Sequence, residues 1–150
     1  MMTKVPPYSA PVPAPVPGAS HSYLLRAAES LSEAISTPEV PTRYACAHVA
    51  ALQAAAALLA ARARPVAGRR PQQRNAWVLL TEVAPELGEW AAFFAAGAAK
   101  RAAAEAGSRH AVSEREADDL IRDADRFLAV VESALGLLPH ASTATIRRVG

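Results

Sequence analysis

Alanine fills 37 of the 150 positions, and it comes in blocks such as ACAHVAALQAAAALLAARA and AAFFAAGAAKRAAAEAG. Alanine is the strongest helix former because it loses no side-chain entropy in a helix. Runs of β-branched and aromatic residues of strand length are absent, so the chain is expected to be all-α. Methyl side chains on facing helices also let the axes approach closely. A chain of this length is enough for one domain with one core, and needs no covalent staple. The sole cysteine, Cys46, rules out an intrachain disulfide and any multi-cysteine metal site. It sits among alanines, where a small apolar residue packs. A reducing, cytoplasmic setting fits that usage, and neither a secretory leader nor a membrane-spanning segment is expected: MMTK runs straight into prolines, and the apolar run from Ala45 to Ala61 is interrupted by His48 and Gln53.

Prolines and glycines divide the chain. Residues 1–20 contain six prolines in VPPYSAPVPAPVPG. They remove backbone donors and fix φ, which predicts a disordered proline-rich arm with the domain beginning near Ser20. Leu24, Ala28, Leu31 and Ile35 recur at helical spacing and predict a first helix over Ser22–Ile35. After two prolines, a second helix is expected from about Thr42 to Arg64, on the order of 33 Å long, with Tyr44, His48, Ala51, Leu52, Ala55, Leu58 and Leu59 facing inward. A third should begin near Pro71, kink or restart at Pro85, place Leu87, Trp90 or Ala91, Phe94 and Ala98 inward, and end at Gly107.

The clearest start signal is SERE, where Ser113 and Glu116 stand at capping-box spacing. The fourth helix that follows has one apolar stripe, Ala117, Leu120, Ile121, Ala124, Phe127, Leu128, Val131 and Leu135, and a net charge of about −4. Pro139 should close the domain, giving a helical domain over residues 21–139 and a flexible basic tail over 140–150. Short connections make this a four- to five-helix antiparallel bundle, with the second and third helices as the expected central pair.

The segments TRYACAHVAALQAAAALLAARARP, RNAWVLLTEVAPELGEWAAFFAAGAAKRAAAEAG and VSEREADDLIRDADRFLAVVESAL together resemble the actinobacterial group of HEPN-domain proteins, which are small helical bundles. The likeness covers roughly Ser22 to Leu138 and rests most on the RYACAH opening of the second helix and on ADDLIRDADRFL. The resemblance implies an HEPN-like fold, a homodimer and a connection to RNA. It also raises the prospect of a metal-independent ribonuclease of the toxin or RNA-processing type, partnered by a nucleotidyltransferase antitoxin. Such nucleases place a histidine four to six residues after an arginine, and Arg43 and His48 fit. His48 would move the proton of a ribose 2′-hydroxyl, Arg43 would clamp the phosphate, and Tyr44 would stack or orient.

The helix itself argues for the other outcome. Positions five apart on a regular helix point about 140° away from each other, so one phosphate cannot easily meet both side chains. The expectation is therefore a non-catalytic RNA-binding or protein-interaction module in which His48 is a satisfied core histidine and Arg43 faces solvent or an acid of the fourth helix. The candidate RNA contacts are Arg62, Arg64, Arg69, Arg70 and Arg74, five arginines in a segment without an acid, extended by Lys100, Arg101 and Arg109. No aromatic residue interleaves with them, so a base-stacking platform is not expected. Glu82, Glu86 and Glu89 lack the Glu-x-x-His partner of a di-iron bundle and read as surface charge. Trp77, Trp90, Phe93 and Phe94 read as core or dimer contacts. No glycine-rich phosphate loop, cofactor motif or metal-ligand spacing occurs.

Overall fold

The computed structural model describes residues 15–63, 75–108 and 110–141, and no strand occurs among them. Six helices follow in order: α1 (Gly18–Ser36), α2 (Val40–Arg62), α3 (Ala76–Val83), α4 (Gly88–Ala96), α5 (Ala98–Glu105) and α6 (Glu114–Ala134), with a single 3-10 turn at Pro85–Leu87 between α3 and α4. The all-α class holds, and the expected third helix is realised as three pieces that form one arm of a four-armed bundle.

Each break in that arm has a local cause. Pro85 has no N–H to continue α3, so the chain tightens into the 3-10 turn and restarts at Gly88. Gly97 separates α4 from α5 at a point of close approach, since a Cβ there would stand 3.1 Å from the Tyr44 hydroxyl of α2. Gly107, at φ +85°, takes the left-handed conformation that ends α5, and the Ser108 N–H reaches back to the Ala103 carbonyl at 3.1 Å. Asn75 caps α3 by accepting from the Trp77 N–H at 2.9 Å. α6 opens on the anticipated capping box, with both reciprocal bonds at 3.1 Å between Ser113 and Glu116.

α2 is the centre of the molecule, and the expected central pair needs correction. α1 and α6 lie along it, and α3 and α5 touch it more briefly. It is consequently buried on more than one stripe: Ala47, Ala50, Ala51, Ala54, Ala55, Ala57 and Leu58 are all inaccessible, whereas Leu52 and Leu59 are half-buried. By length and composition α2 could cross a bilayer, but half of its apolar window is covered by the helices around it. Around its N-terminal half, Trp77, Phe94 and Phe127 pack as an aromatic cluster, with centroids 5.0 Å apart for Trp77 and Phe94 and 5.2 Å for Phe94 and Phe127.

Both ends of the domain extend further than the sequence pattern indicated. α1 begins at Gly18, and Ser20, assigned to the arm, is fully buried with its hydroxyl donating to the Ala57 carbonyl at 2.7 Å. A serine directly after a proline-rich run carries no local sign of burial; α2 supplies it. His140, assigned to the tail, folds back on α6 and meets Glu132 at 2.5 Å and Asp125 at 2.6 Å through its two ring nitrogens. The remainder of the arm and tail, residues 1–14 and 142–150, lies outside the described residues.

Candidate functional site

Arg43 and His48 leave α2 in different directions. The Arg43 guanidinium is 6% exposed and turns to the start of α6, where Nη2 donates to Asp118 and Nη1 stands 4.0 Å from Glu114. His48 turns to α4. It is 1% exposed, its ring lies edge-on to Trp77 and Phe94, and Nε2 donates to the Phe94 carbonyl at 3.0 Å. A carbonyl can only accept, so this bond fixes the Nε2–H tautomer and leaves the Nδ1 lone pair buried without a partner among the described residues. Burial lowers the His48 pKa, only partly offset by the Phe94 bond, so the ring is neutral around neutral pH.

Tyr44 and His48, four residues apart, do share a face. Together with Gly97 they form the floor of a cleft of about 440 Å³, walled by Phe93, Phe94, Ala96, Ala99 and Lys100 on one side and by Glu116, Asp119, Leu120 and Asp123 of α6 on the other. Arg43 does not line it. The cleft therefore carries one ammonium and three carboxylates. Lys100 pairs with Glu116, and Asp119 pairs with Arg122 on its own helix. Asp123 makes no hydrogen bond or ion pair with the described residues, and burial raises its carboxyl above the usual range. Burial likewise pushes up the Tyr44 phenol, so it remains a neutral hydroxyl. A second hollow of about 330 Å³ adjoins, shares Phe93 and Asp123, and adds Glu89 and Trp90.

This lining suits a cation or a hydrogen-bond donor and repels a phosphate. Of the proposed catalytic trio, two members meet at the cleft and the phosphate clamp is engaged elsewhere. Among the arginines considered for RNA, Arg62 ties the end of α2 to Glu86 at 2.6 Å and to the Ala134 carbonyl at 3.4 Å. Arg64, Arg69, Arg70 and Arg74 lie outside the described residues, as does Arg109. Lys100 and Arg101 are held by Glu116 and Glu105. The Cys46 thiol is pushed up by burial and by Glu33, which disfavours the reactive thiolate. Among the described residues, no three potential metal ligands stand together.

Phe93, read from the sequence as a core or dimer contact, lies outside the core, 48% exposed at the junction of the two hollows. Sequence reasoning also passed over Asp119 and Asp123. One signal was available: two carboxylates four residues apart repel on a helix surface and cost a few tenths of a kcal/mol, so the pair is out of place unless something positive meets it.

Comparison with known proteins agrees with this architecture. No curated protein and no solved structure gave a significant match. The SAV_6107-like HEPN family profile matches residues 34–132, from the end of α1 through nearly all of α6 and hence both walls of the cleft. Covering about two thirds of the 150 residues, that match establishes that the chain belongs to the HEPN family of the SAV_6107-like type.

Proposed function

We propose that this HEPN domain is a non-catalytic module that works by binding a protein partner, and that the arginine and histidine at the start of α2 have structural roles. The observation that carries this reading is the divergence of the two side chains: Arg43 is committed to Asp118 of α6, while His48 is sealed beneath the α4 backbone by its bond to Phe94. A general base needs a lone pair within reach of the substrate proton, and the open lone pair of His48 is at a buried Nδ1. A phosphate clamp needs guanidinium donors that face the same anion, and those of Arg43 face carboxylates. The charge of the cleft adds support: Lys100 and Arg122 are already paired with Glu116 and Asp119, and the carboxylate left over, Asp123, disfavours an RNA strand there.

The test is incubation of single-stranded and structured RNA with the full chain in the presence of a metal chelator. The expected outcome is cleavage no faster than in buffer. Cleavage that disappears in His48→Gln, with the fold retained by circular dichroism, would establish the ribonuclease reading in its place.

A further inference from the structure

The cleft holds features that a structural role does not use. The Tyr44 ring is buried, with 6% of the residue exposed, and its hydroxyl, which lies beside Gly97 and bonds to no other group among the described residues, opens onto the cleft. A hydroxyl at the end of a buried ring, held in place and open toward a concave site, is a position for a ligand atom. Above it, the Phe93 ring is half exposed between the two hollows, and Asp123 lines both. Glu89 lies beyond Phe93, and like Asp123 it forms no ion pair with the described residues. The whole chain carries a formal net charge of +2, so attraction for a cation here is local to this groove.

We propose that this groove is the binding site for a basic peptide segment of a partner protein, whose lysine or arginine side chain enters the cleft. This deepens the binding reading above and rests on it. The alkyl stem of the guest lies against Phe93 and Leu120, its cationic head is met by Asp123, with Asp119 shared between the guest and Arg122, and the Tyr44 hydroxyl accepts a hydrogen bond from it. A guanidinium or ammonium over an aromatic face gains from the ring quadrupole as well as from the carboxylates. The second hollow, with Trp90 and Glu89, gives a neighbouring basic residue the same combination of ring and acid. A free polyamine satisfies the charge, but it leaves the continuation from one hollow to the next without the backbone that a peptide would lay across Phe93.

The experiment is calorimetric titration of the full chain at low salt with a capped peptide of alternating arginine and serine, beside its citrulline analogue and spermidine. The arginine peptide should bind, more weakly as salt rises, and the citrulline peptide should not. Asp123→Asn and Phe93→Ala, both at positions open to the groove, should each weaken binding at least about fivefold, and Tyr44→Phe about threefold. Glu29→Gln, an exposed acid on α1, should leave affinity unchanged. Equal binding by the citrulline peptide, equal loss in Glu29→Gln, or binding of spermidine without the peptide would each overturn the proposal. The titration contains no RNA, so it can fail while the chelator assay still supports a non-catalytic module, and the reverse outcome is equally readable.

Discussion

Arg43 is a buried charge on α2, and a guanidinium buried this deeply needs its carboxylate partner. Removing one member of a buried pair leaves the other charge uncompensated, which is more damaging than replacing the charge with an apolar residue of similar length. Asp118→Ala should therefore destabilise the fold by about 2 kcal/mol, less than for a fully enclosed pair because Asp118 is a third exposed and Glu114 stands in reserve. Arg43→Met should cost less than Asp118→Ala, and urea unfolding of the two variants checks the order. The charge of the last helix left two outcomes legible for Arg43, solvent or an acid of that helix. Which acid it met, and that the pairing would turn it away from His48, depended on how α6 docks.

At the scale of the element, the boundaries written by nearest neighbours in the chain were the legible ones. The SERE sequence specified the start of α6 because both partners of the capping box lie within one turn. Ser113→Ala should cost about 1 kcal/mol, read as a lower urea midpoint with an unchanged slope. Pro85 was equally plain, since a missing N–H acts wherever the residue stands. Gly97 was not, because the reason for it lies on another helix: the tyrosine hydroxyl of α2 occupies the place that a side chain would fill. Ser20 and His140 escaped notice on the same ground, each being fixed by a partner dozens of residues away or by a fold-back of the chain.

Across the whole molecule, two histidines give stability opposite responses to pH. His48 is held neutral by burial, so its folded pKa lies below the unfolded value of roughly 6.5. Its contribution is complete above that unfolded value and is lost as pH falls toward the folded one. For His140, burial pulls the pKa down, but the bonds to Glu132 and Asp125 outweigh it and the net shift is upward. That contribution is complete below roughly 6.5 and is lost as pH rises through the folded value. His140→Gln should lower stability on the acidic side, where that contribution is complete, and flatten the decline toward the alkaline side in a profile taken across roughly pH 5 to 9. Imidazole resonances titrating below the unfolded value for His48 and above it for His140 provide the direct check. Helix content, the order of the arms and the α6 cap were determined by the sequence alone, because propensity, period and capping act over a few residues. Only the tertiary structure decided that the Arg43 and His48 side chains part company, and that Tyr44, Phe93 and Asp123 come together. Those outcomes depend on which face of one helix meets another, a choice made by packing between segments far apart in the chain.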